Sequence, residues 1–129
     1  MSHLTYKTGQ WADIVSFYRK GIDEWGWQFE PMAELVQAIV SSRYACGLYA
    51  NTSMSILQIV QTPEYDPDGE ILRISYDPAL REFNFELQEA ASGLYKRWTR
   101  KCAAERAFST FERFLQLKKW FVEEKGPNL

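Results

Sequence analysis

"ILRISYDPALREFNFELQ", Ile71 to Gln88, is the stretch whose reading decides the fold. Its first third sets Leu72, Ile74 and Tyr76 on alternate positions, with Arg73 and Ser75 between them. Its last third alternates more cleanly: Phe83, Phe85 and Leu87 point one way, and Glu82, Asn84, Glu86 and Gln88 the other. A period of two sends successive side chains to opposite faces of a pleated strand. Both parts therefore read as strands of an antiparallel sheet with one dry and one wet face. Between them, Asp77-Pro78 suits a type I turn. Proline has its φ already set for the second position, and the aspartate in the first can accept a backbone N–H.

The same Tyr-Asp-Pro occurs eleven residues upstream, in "EYDPDGE" at 64–70. One strand plus one turn accounts for that spacing. The two copies would stand about 20 Å apart at strand rise, too far to act on one atom. The repeat reads as two turns closing opposite ends of strand 71–76, with Gly69 completing the first, rather than as a duplicated site. Further upstream, "LYANTSMSILQIVQT" at 48–62 has strand composition and a break near residues 51–55.

Towards the N-terminus the rhythm changes to that of helices. Trp11, Ile14, Val15, Tyr18, Ile22 and Trp25 fall on one face at helical spacing. Thr8 is the expected N-cap, Gly21 weakens the last turn, and Gly26 is the expected stop. After the short connection "WGWQFEPM", Pro31 opens a second helix. Its stripe is Met32, Leu35, Val36, Ile39 and Val40, weakened at Ser41 and Ser42 and closed by Gly47. Two helices on so short a connection should pack as an antiparallel pair.

After Glu89, "AASGLYKRWTRKC" reads two ways. It is a fifth strand with Leu94, Trp98 and Cys102 on one face, or a loop running into the next helix. "AAERAFSTFERFLQLKKWFVEEK" is the most strongly periodic helix, ended by Gly126-Pro127. Runs of one element type followed by another argue for α+β. The expected fold is two N-terminal helices, an antiparallel sheet of about four to five strands, and a C-terminal helix packed on one sheet face, in a single domain spanning 1–129.

A chain of 129 residues can bury a core without disulfides or metals. Its hydrophobic fraction of 46% argues against disorder as the general state. Cys46 and Cys102 lack CxxC spacing and read as two small buried apolar residues in a reducing compartment. No run of 18 apolar residues occurs, and the N-terminal residues lack an apolar signal region, so the expected location is cytoplasmic, with no membrane contact. Net charge is −2, unevenly spread. Residues 1–94 carry six basic against thirteen acidic side chains, and 95–129 carry nine against four.

Catalytic motifs are scarce. His3 is the only histidine, and it sits in the first few residues. Serine–histidine or cysteine–histidine chemistry on a rigid element has no base. Phosphate-loop, dinucleotide, zinc-protease and nucleophile-elbow signatures are absent. Catalysis would fall to a carboxylate near tyrosines, with Asp66, Asp68 or Glu86 as candidates. The carboxylates of Glu64, Asp66, Asp68 and Glu70 lack the remaining ligands of a calcium loop, so no metal and no cofactor is expected. "LYKRWTRK" interleaves basic and aromatic residues, a weak single-stranded nucleic-acid signal in a chain with no RNA-binding motif.

The expected function is therefore binding of another protein that presents a basic face, by steric occlusion in an immunity- or antitoxin-like manner. Glu64, Asp66, Asp68 and Glu70 are the expected contact loop. Trp25 and Trp27 are the expected aromatic rim, against the competing reading that these rings plug the core. A small-ligand site or carboxylate-dependent enzyme with a pocket between sheet and helices is the rival reading. A homodimer through a sheet edge or the aromatic connection is a third.

Overall fold

The computed structural model describes residues 11–63, 69–89 and 96–120. Five antiparallel strands pair in chain order: β1 Tyr49–Ser53, β2 Ile56–Val60, β3 Glu70–Asp77, β4 Glu82–Glu89 and β5 Lys96–Ala103. Two helices, α1 Trp11–Trp25 and α2 Glu30–Val40, precede the sheet, and α3 Ala107–Lys118 follows it. The α+β architecture expected from the alternation at 71–88 is the one observed. Among the described residues no helix is long and apolar enough to cross a membrane.

The register explains why one face is dry. Ile59, Leu72, Leu87 and Trp98 lie side by side across β2 to β5, and Leu57, Ile74, Phe85 and Arg100 form the next row. Phe83, Phe85, Leu87, Leu72 and Ile74 are all buried beneath the helices. Burying each such side chain stabilises the fold by about 1.5–3 kcal/mol. The helices form one layer: α1 meets β1, α3 meets β5, and α2 contacts both other helices. The opposite face carries a polar row, Asn51, Gln58, Arg73, Glu86 and Thr99.

The turns follow their residues. Asp77 Oδ1 accepts the N–H groups of Ala79 (3.0 Å) and Leu80 (3.4 Å), as the Asp-Pro reading requires. The strand break expected within 51–55 falls at its far end, where Met54 and Ser55 join β1 to β2. Gly26 ends α1 with φ of +73°, a left-handed conformation that costs glycine little. The corresponding Pro67 turn lies outside the described residues, as do the Thr8 cap, Leu94 and the Gly126-Pro127 stop.

Several expectations are corrected. The second helix does not reach Gly47: it ends at Val40, and a 3-10 helix, Arg43–Gly47, takes over with Ser42 capping the Tyr44 N–H. Ser42 diverts the backbone because its hydroxyl bonds locally, Oγ donating to the Ile39 carbonyl at 2.7 Å. The two-way reading of 90–102 resolves as β5 from Lys96, with Trp98 and Cys102 against the core. The last helix stops at Lys118, well short of Gly126. Lys119 turns left-handed, and Trp120 folds back so that its N–H reaches the Leu115 carbonyl at 3.0 Å. This is a Schellman closure made without glycine. Finally, Trp25 leaves the apolar stripe of α1 and is 52% exposed, and Cys46, on the short 3-10 turn, is exposed rather than buried.

Candidate functional site: an aromatic groove at the end of the helix pair

Trp25 and Trp27 sit at opposite sides of Gly26, where the chain leaves α1. The reversal at Gly26 brings Trp27 back along α1, and its N–H donates to the Gly21 carbonyl at 3.0 Å. The Trp27 ring then lies flat over Gly21, where any Cβ would overlap its six-membered ring. Gly21 is therefore a seat for Trp27, not merely a weak residue in the last turn.

From this point a chain of rings runs inwards. Trp25 meets Trp27 with centroids 5.3 Å apart, Trp27 meets Phe29 at 5.5 Å, and Phe29 meets Tyr76 at 5.5 Å. Tyr76 continues to Phe83 at 4.8 Å, in the centre of the sheet. The core-plugging reading fits the inner rings and fails for the outermost. Phe29 is half-buried against the core, Trp27 is half-buried above it, and Trp25 is exposed. Edge-on contacts of Phe17 with Trp25 (6.5 Å) and Trp27 (5.6 Å) hold the outer pair. Ring pairs in such geometries add about 0.5–1.5 kcal/mol each beyond burial.

Across from the rings stands the β1–β2 turn. Phe17, Trp25, Trp27, Phe29, Thr52, Met54 and Ser55 enclose an open groove of about 540 Å³. The turn is tied to α1 by the Tyr18 hydroxyl, which donates to the Ser55 carbonyl at 3.0 Å. Burial pushes that hydroxyl well above the ordinary tyrosine value, so it remains a donor. Met54 projects into solvent with 87% of its surface exposed, at φ of 57°. None of these seven residues carries an ionisable group, so the groove offers shape and apolar surface and no group for proton transfer. Lys20 stands 5.7 Å from the Trp25 ring, and Asp23, Glu24 and Glu30 are exposed nearby in the chain.

The structure separates the other expected contacts. Glu70 begins β3, accepts from the Trp120 indole N–H at 2.8 Å and pairs with Lys118 at 3.2 Å. Its carboxylate is thus committed to anchoring the end of α3. Glu64, Asp66 and Asp68 lie outside the described residues. Glu86 stands on the open sheet face between Arg73 and Thr99, not in the groove. Among the described residues no three histidine, cysteine or acidic side chains gather as a metal-binding group. Sequence reasoning missed Phe17 and Met54. Phe17 falls off the helical stripe, and a methionine in a strand-like run carries no mark of exposure until the hairpin is closed.

No known protein family, characterised protein or solved structure matches this chain.

Proposed function

We propose that the chain is a protein-binding module that anchors a partner's apolar side chains in the groove between Trp25 and Met54. The observation that carries this reading is Met54. A two-residue hairpin turn whose first residue has positive φ favours glycine, asparagine or aspartate, because a Cβ is strained there. A large apolar side chain held at such a position in full solvent breaks both backbone and solvation preferences with no internal gain. Departures of that kind collect at functional sites. Trp25, opposite it, has the type and exposure of a binding anchor.

The partner presents a basic face in this reading. Asp23, Glu24 and Glu30 flank the aromatic connection and supply the negative charge that such a face would meet. Binding acts by steric occlusion, an immunity- or antitoxin-like role that asks for a rigid anchor and no chemistry. Met54→Asn separates anchor from scaffold, since asparagine tolerates left-handed φ. The variant should keep the fold and melt no lower. It should lose, together with Trp25→Ser, at least tenfold in retention of whatever wild-type protein captures from native lysate. Unchanged capture by both variants would refute the reading.

A second reading rests on the groove's volume, which falls within the range of small-ligand sites. Native mass spectrometry of freshly purified protein distinguishes the two: a bound mass below about 1 kDa that Met54→Asn releases favours a ligand.

A further inference from the structure

The far edge of the sheet carries a shallow groove of about 10 Å³ between β5 and α3. Trp98, Arg100, Thr110, Arg113, Phe114 and Leu117 line it. Its floor is the Trp98–Phe114 pair, with centroids 5.2 Å apart. Its outer wall is Leu117, 61% exposed on α3. Arg100, on the strand, lies over the Trp98 ring at 5.8 Å, and Arg113 faces it from the helix. Neither arginine forms an ion pair with a described carboxylate.

β5 is the last strand of the sheet, and among the described residues nothing pairs with its outer edge. Every other residue of that edge therefore presents unpaired backbone N–H and C=O groups, a template for one more strand. The sequence of β5, KRWTRKCA, carries four basic residues and no acidic one. A second copy pairing edge to edge would place like charges opposite one another, which is destabilising. The same charges favour an acidic strand.

We propose that β5 and α3 form a recognition groove for an extended acidic peptide segment of another protein, which adds to the sheet as a sixth strand. Backbone hydrogen bonds to β5 supply register. Side chains facing the helix layer lie along Trp98 and Leu117 beside Arg100 and Arg113, and those facing the open side meet Thr99 and Lys101. This is strand addition, in which main-chain bonding gives affinity and alternate side chains give specificity. The groove lies four strands, about 19 Å, from β1, so it stands independently of the Trp25–Met54 site.

The probe is a fluorescein-labelled, end-capped octapeptide of alternating Glu and Leu. Fluorescence anisotropy at low salt should give saturable binding at micromolar concentration, with amide shifts confined to β5 and α3 by NMR. N-methylation of alternate peptide amides, which keeps every side chain, should abolish binding. Arg100→Glu with Arg113→Glu should weaken it at least tenfold, circular dichroism confirming the fold; both arginines are exposed. A Lys-Leu octapeptide should not bind. Absence of Glu-Leu binding at 1 mM, equal binding of the N-methylated peptide, or shifts outside β5 and α3 would each overturn the proposal. So would displacement of the peptide by a twelve-residue oligothymidylate, which would make the groove a nucleic-acid site, or dimerisation through β5 seen by light scattering.

Discussion

Gly21 holds the aromatic groove by having no side chain. In an isolated helix, Gly→Ala is stabilising by about 1 kcal/mol. Here the added methyl meets the Trp27 ring, and overpacking costs about 1–3 kcal/mol. Gly21→Ala should therefore lower stability by about 1 kcal/mol in urea unfolding and shift tryptophan emission to the red as Trp27 is displaced. A rise in stability with unchanged emission would contradict this packing. Tyr18 gives a second residue-scale prediction. Its buried hydroxyl stays protonated in the fold, while the unfolded chain ionises near pH 10. The folded value is raised, so its contribution is complete below pH 10 and is lost as pH climbs above it. Tyr18→Phe should cost about 1 kcal/mol at pH 7, from the hydrogen bond to Ser55, and flatten the alkaline loss. Tyr44, raised by burial and by its bond to Glu112, keeps part of that slope. Neither role was legible in the sequence, where Gly21 looks like a flaw and Tyr18 like one more ring on a stripe.

At the scale of elements, most of the fold follows from side-chain rhythm, and the departures lie at ends. α3 keeps its periodicity through Leu117, yet the helix stops at Lys118 because closing it lets Trp120 reach the core beside Phe114, with ring centroids 5.0 Å apart. Lys119 bears the left-handed φ of 57° that this closure demands. Lys119→Gly should raise stability by about 1 kcal/mol and leave the helix length unchanged, as measured by thermal melting and far-ultraviolet circular dichroism. A loss of stability would show that Lys119 contributes contacts outweighing its strain. Met54 carries comparable backbone strain in the β1–β2 turn, but there the residue also walls the groove. The two positions share a φ of 57° and differ in what they border, a groove and a helix end, and periodicity distinguishes neither.

Across the whole molecule, Glu70 joins the two layers, from the first residue of β3 to the last turn of α3 and to Trp120. The Lys118 pair is part-exposed and worth at most about 1 kcal/mol. The bond from the Trp120 indole to a carboxylate is worth about 1.5–3 kcal/mol. Glu70→Ala should cost about 2 kcal/mol, and Glu70→Gln, which keeps an acceptor, clearly less, by urea unfolding. Equal losses would make the charge rather than the hydrogen bond the link. Glu70 stands beside Asp66 and Asp68 in the sequence and looks like part of one solvated patch. Only the return of α3 over the sheet gives it an internal partner 50 residues away. By itself the sequence determined where α1, β3 and β4 lie and which face of those two strands is dry, because those depend on spacing along the chain. The tertiary structure alone decided that Trp25 and Met54 face each other across open space, that Glu70 is spoken for, and that β5 ends the sheet. Those facts depend on how elements distant in sequence come together, and burial is a property of the assembled layers that no local pattern encodes.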